Sequence, residues 1–347
     1  ENPTIRELLD RAAKELTPDK IDANFPNQPL VQAAILHTVG ATYVGVGEYD
    51  RAIGFVQRSA ALHRQHLGPD HPYTLQSMGN LAGAYKAAEK LDLAVPLYVE
   101  TLKLMKAKLG PDHPNTLTSM TGLGGAYLAA GKLELAVPLL EEALKLSKAR
   151  HGPDHPDTLT TMNNLAQAYK AAGKLDLAQS LLEETLKLRR AKLGPDHPYT
   201  LQSMGNLAGA YQAAAKLDLA VPLLEKTLKL QKAKLGPDHP TTLVSMNNLA
   251  AAYWSAKQLD KSIPLFEDVV HRQETKRGRQ HPETLQTIAN LGVNYRDAGR
   301  LAEALPLLEE AYRAAKKHPE LRWVGAALLD AYAKAGENAK FANLLQE

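Results

Sequence analysis

Apolar residues recur along this chain at helical spacing and return in the same order every 42 positions. Leu75, Met78, Leu81, Ala82 and Tyr85 fall on one face of a helix predicted over 72–88. Proline at its opening position costs no hydrogen bond, and the polar residues before it are placed to cap. After a break at 89–91 a second helix is predicted over 92–109, with Pro96 close enough to its start to be tolerated. A GPDHP turn then opens the next pair. Its His-Pro stands at 71, 113, 155, 197, 239 and 281, and residues 194–235 repeat 68–109 with 36 of 42 identical. The pattern predicts an all-α array of antiparallel helix pairs, each unit touching its neighbours, in place of one globular core.

The ends depart from the period. Residues 1–27 read as a capping helix and linker: a lone amphipathic helix over 3–16, with Ile5, Leu8, Leu9, Ala12 and Leu16 on one side, then a Pro- and Asp-containing stretch from Thr17. Residues 28–317 divide into seven units, the first lacking His-Pro but keeping Tyr43 and Ala52 where a later unit has Tyr85 and Ala94. The next His-Pro, at 318, arrives after 37 residues, so 318–347 reads as a partial eighth unit. Its Phe341, Leu344 and Leu345 have no following unit to cover them, and the chain does not begin with Met. The expectation is a longer natural chain, or an end that pairs with another molecule.

Composition narrows the chemistry. Without cysteine there is no disulfide, cysteine-ligated zinc or thiol catalysis, and a reducing, cytoplasmic setting is expected. The net charge of +3 comes from 41 basic and 38 acidic residues, a near balance that does not mark a nucleic-acid protein. No run approaches the roughly 18 apolar residues of a membrane span.

Asn206, Leu207, Ala208, Tyr211 and Ala220, with the helix-turn-helix around them, resemble the tetratricopeptide repeat (TPR). The 42-residue period, the LGPDHP turn and NNLA at 163–166 and 247–250 resemble the kinesin light chain type of TPR, over about residues 30–316. PTIRELLDRAA and HPELRWVGAALLDAY are similar to repeat arrays that follow the kinase domain of some bacterial serine/threonine kinases, though no kinase motif is present. The resemblance implies a right-handed superhelix (α-solenoid) whose concave groove, lined by the first helix of each unit, receives an extended peptide segment of a partner protein.

On that groove face stand Gln76, Asn80, Lys86, Thr118, Thr160, Asn164, Lys170, Gln202, Asn206, Asn248, Trp254, Asn290 and Arg296. The asparagine recurs in register at 80, 164, 206, 248 and 290, with Thr38 and Gly122 replacing it in two units. An amide both donates and accepts, as a peptide backbone requires; the competing reading is that each Asn bonds a neighbouring repeat and sets the pitch. Glycines at 79, 83, 125, 205 and 209 admit either a close ligand or a close helix. Trp254 is suited to stacking on a ligand side chain or to packing between units.

Six charged residues among 102 in the first-helix segments leave the groove neutral, which disfavours nucleic acid. The second helices carry a basic ladder, Lys106 with Lys108, Lys148 with Arg150, Arg190 with Lys192 and Lys232 with Lys234. It complements the helix dipole, or else it makes the chain an adaptor for a filament, membrane or nucleic acid. Self-association through the C-terminal end is a third reading. His63, His66 and His71, and His151 with Asp154 and His155, read as turn-capping groups, not metal ligands. No nucleophile, base and orienter set is present, so no enzyme, metal or cofactor is expected.

Overall fold

A computed structural model describes residues 17–346, and the helix expected over 3–16 lies outside them. Every regular element among the described residues is helical. The chain divides into two compact units at Leu181 and Leu182. The first contains α1 (Pro18–Asn24), α2 (Pro29–Gly45), α3 (Tyr49–Leu67), α4 (Pro72–Ala87), α5 (Leu91–Lys108), α6 (Pro114–Ala129), α7 (Leu133–His151) and α8 (Pro156–Ala171). The division falls inside α9 (Leu175–Leu193). The second unit continues through α10 (Pro198–Ala213), α11 (Leu217–Leu235), α12 (Pro240–Ser255), α13 (Leu259–Arg277), α14 (Pro282–Asp297) and α15 (Leu301–Ala314). A 3-10 turn (Pro319–Leu321), α16 (Val324–Ala335) and α17 (Asn338–Gln346) complete it.

The turn between pairs is built from three residues with separate tasks. Gly68, Gly110, Gly152, Gly194, Gly236 and Gly278 hold φ between 85° and 95°, where a side chain would be strained. The histidines at 71, 113, 155, 197, 239 and 281 each cap a first helix, Nδ1 accepting the amide hydrogen two residues on at 3.2–3.3 Å. Proline then occupies the first helical turn, where a missing N–H removes no intrahelical bond.

Within a pair the expected stripe is buried: Leu75, Met78, Leu81 and Ala82 lie inside, and Tyr85 is half-buried. The position shared by Gly40, Ala82, Gly124, Ala166, Ala208, Ala250 and Gly292 must be small, because there the two helices of a pair cross closely. A Cβ on Gly124 would lie 2.5 Å from Leu140 Cγ. The repeats are also tied by a recurring bond in which a first-helix tyrosine donates to a glutamate of the preceding second helix. Tyr169 with Glu141 provides it in the first unit, and Tyr211 with Glu183, Tyr253 with Glu225 and Tyr295 with Glu267 in the second, all at 2.5–2.8 Å.

Two expectations about the ends need correction. The stretch read as a linker contains α1, whose Ile21 is buried against Ala33, Leu36 and Leu62. One large apolar residue in seven offers no period to announce it. At the other end Phe341 and Leu344 pack on their own unit's cluster around Leu328 and Tyr332, because α17 turns its apolar side inward; Leu345 remains exposed.

Candidate functional site

In the first unit the first helices line two adjoining cavities, of about 630 and 220 Å³. Gln76, Asn80, Lys86 and Thr118 line the larger, and Lys86, Thr118, Thr160 and Asn164 the smaller. Six of the residues expected on the groove face are thus brought together. Lys170, on the same helix as Asn164, is half-buried and lines neither. The floor includes Val44, Val56 and Met105, so a polar rim stands over an apolar base.

Among the described residues the side chains of Asn80, Asn164, Asn248 and Asn290 have no hydrogen-bond partner, and none of their polar atoms is buried. Bonds between repeats are made by other groups, among them the tyrosine and glutamate pairs and the Thr121 and Thr161 hydroxyls at 2.9 Å. Asn206 is half-buried on α10. The groove glycines differ: a Cβ on Gly205 would meet nothing within 4 Å and one on Gly79 only Met105 Cε at 3.9 Å, whereas one on Gly83 would lie 3.3 Å from Tyr98 Oη and one on Gly125 3.3 Å from Lys86 Nζ.

Two lysines of this face are half-buried with no carboxylate partner among the described residues. Burial pushes both Lys86 and Lys170 below the usual ammonium range. Asp157, on the wall of the smaller cavity, lies 3.8 Å from His155.

In the second unit several expected groove residues are engaged by neighbours. Trp254 packs between repeats, its indole N–H donating to Asp297 at 2.8 Å. Arg296 donates to Asp297 at 2.7 and 2.9 Å and lies 3.2 Å from Asp330. Burial would raise the Asp297 carboxyl, but Trp254 and Arg296 hold it below the usual carboxylate range. Gln202 is exposed and faces Arg189 at 3.5 Å.

Two residues that sequence reasoning passed over contribute to this face. Tyr98 lines both cavities from α5, at a position where Leu140, Leu182, Leu224 and Leu308 stand in other pairs. Arg189 is buried in α9 and donates to the Tyr199 carbonyl at 2.8 Å and the Ser203 hydroxyl at 2.9 Å. Tyr98 departs from a mostly leucine register, and that departure was the available signal; the register of Arg189 varies through His63, Met105, Ser147, Gln231 and Gln273 and offered none.

At least four of the eight ladder residues pair with carboxylates, three of them with aspartates of the turns and Lys106 with a glutamate of the next second helix. Lys108 pairs with Asp70 at 2.9 Å, Arg150 with Asp112 at 3.6 Å, Lys234 with Asp196 at 2.7 Å, and Lys106 with Glu142 at 3.0 Å. Exposed pairs of this kind stabilise by roughly 0–1 kcal/mol. His63 shares a hydrogen with the Ser77 hydroxyl at 2.7 Å, while His71 and His155 cap helices. No helix among the described residues is long and apolar enough to cross a membrane.

No curated protein is significantly similar to the chain. Among solved structures it resembles a putative kinesin light chain of Podosopora anserina with nearly identical TPR-like repeats, at 34% identity and a TM-score of 0.52, over 60% of this chain and 99% of that one. BtubC (BKLC) of P. vanneervenii is 20% identical over 70% of this chain and 91% of its own, with a TM-score of 0.51. A Rap protein complexed with Competence and Sporulation Factor is 12% identical, with a TM-score of 0.64, over 91% and 85% respectively. The tetratricopeptide repeat profile matches residues 31–107, 80–149, 123–191, 172–233, 206–275 and 257–317. Covered by it from residue 31 to residue 317, the chain belongs to the tetratricopeptide repeat family.

Proposed function

We propose that this chain is a non-enzymatic scaffold that holds an extended peptide segment of a partner protein against its first helices. Repeats of this family act as scaffolds for protein–protein interaction. The observation that carries the finer reading is the set of amides at Asn80, Asn164, Asn248 and Asn290, which have no bonding partner among the described residues. Extended backbone offers a donor and an acceptor at every residue, and such amides answer both. Each bond contributes about 0.5–1.5 kcal/mol net, so several give roughly micromolar affinity after ordering costs. The pairing of Lys108, Arg150 and Lys234 with turn aspartates speaks against an outer surface that recognises a filament, membrane or nucleic acid.

The test compares the intact chain with an Asn80→Ala, Asn164→Ala, Asn248→Ala variant in pull-downs at low and moderate salt, read by mass spectrometry. Partners lost with the asparagines and retained in salt support the groove. Partners that ignore the asparagines and wash off in salt move the function to the outer helices.

A further inference from the structure

Two departures from the repeat occur in the first unit, and they meet. Where most other first helices carry asparagine, α6 has Gly122; where most second helices carry leucine, α5 has Tyr98. A Cβ at 122 would lie 2.7 Å from Tyr98 Oη and 2.8 Å from its Cζ, so the ring occupies space that only glycine leaves open. The hydroxyl also passes 3.3 Å from where a Cβ on Gly83 would stand. Tyr98 is only 5% exposed, its hydroxyl has no hydrogen-bond partner among the described residues, and it lines both cavities. The ring is buried, but the hydroxyl oxygen keeps accessible surface at the cavity wall, so it is open to a ligand.

One turn further along α6, Gly125 leaves a second opening. A Cβ there would meet Lys86 Nζ at 3.3 Å and Asn164 Nδ2 at 3.8 Å, so ammonium and amide nitrogen lie within about 7 Å of each other. Gly122 and Gly125 are three residues apart and share a face of the helix. Over that face gather a phenol, an amide and a half-buried ammonium that has no carboxylate among the described residues, whereas lysines of the outer helices such as Lys108 and Lys234 do. Burial pushes the phenol up to about 12, which keeps it protonated and a donor through the neutral range.

We propose that Tyr98, Lys86 and Asn164 form a donor subsite over Gly122 and Gly125 that selects an acidic side chain of the bound peptide. The subsite rests on the groove reading above. A carboxylate accepts from the phenol and the amide at once and neutralises the ammonium, and bonds to an ionised acceptor are about twice as strong as neutral ones. Tyr98 thereby supplies from an outer helix the polar contact that Gly122 lacks, and is a specificity-determining residue of the groove.

The probe is a phage-displayed library of random dodecapeptides selected on the full chain, followed by fluorescence polarisation with the synthetic enriched peptide. The enriched sequences are expected to share one Asp or Glu, and replacing it by Asn or Gln should weaken binding about tenfold, as expected for loss of a charge-assisted bond. Lys86→Met should weaken the acidic peptide about tenfold and leave the neutralised one unchanged, and Tyr98→Phe should weaken the acidic peptide about threefold with the protein's melting temperature kept. Peptides that depend on Asn80 but show no such coupling to Lys86 and Tyr98 overturn the subsite and leave the groove standing. Peptides indifferent to Asn80→Ala, or a selection that enriches nothing, overturn both.

Discussion

Tyr253 donates its phenol hydrogen to Glu225 across the step between two repeats, at 2.6 Å. The separation is 28 residues here and in the pairs of Tyr169, Tyr211 and Tyr295, and 23 in the last, Tyr332 with Glu309 at 2.9 Å. Glutamate is missing where the register reaches Gln57 and Val99, so Tyr85 and Tyr127 have no such carboxylate. Removing the hydroxyl with Tyr253→Phe should destabilise the second unit by about 1 kcal/mol. The check is hydrogen exchange: amides of α11 and α12 should exchange faster, with those of α4 unchanged.

The same bonds set an alkaline limit. The hydroxyls of Tyr169, Tyr211, Tyr253, Tyr295 and Tyr332 are pushed from about 10 up to about 12, first by burial and then by the glutamate beside each. A pKa raised on folding contributes stability that is fully present below the unfolded value and lost as pH rises through the folded one. The melting temperature should therefore fall between pH 10 and 12. A phenolate absorbance titration should show these groups ionising near the upper end, and ionisation of all tyrosines near 10 would contradict the bonds.

Glycines of different registers should respond oppositely to alanine. At Gly205 a Cβ meets nothing within 4 Å, and a helical Gly→Ala change is worth up to about 1 kcal/mol, so Gly205→Ala should raise the melting temperature. At Gly124 the Cβ would press on Leu140, and Gly124→Ala should cost about 1–3 kcal/mol through overpacking. Equal shifts in the two variants would contradict the helix crossing at Gly124.

The cap histidines are exchangeable for other caps. His197→Ala should cost about 1 kcal/mol, because the Tyr199 amide loses its acceptor, while His197→Asp should keep most of the stability. Chemical denaturation of the three chains side by side measures this; an aspartate variant as weak as the alanine one would assign the histidine a different task.

Much of the fold is legible in the amino-acid order alone. Period, helix bounds to within a residue or two, the GPDHP turn and the buried stripe from Leu75 to Tyr85 follow from short-range rules. The face carrying Asn80 and Asn164 follows as well, since positions on a regular helix share a side by arithmetic. The short helix Pro18–Asn24 does not, because seven residues with one buried Ile21 contain no period. Trp254 has two readings in sequence, and the choice between them lies with Asp297, 43 residues away.

By itself the sequence determined a repeating pair of helices, its caps and turns, and which positions look inward, because each depends on residues a few places apart. Only the tertiary structure decided which side chains occupy the shared space between pairs. Tyr98 fills the room above Gly122, Lys86 reaches over Gly125, and the lysine ladder finds the turn aspartates of another repeat. Those contacts join residues from about 24 to 39 positions apart, and their geometry depends on how one helix pair stacks on the next.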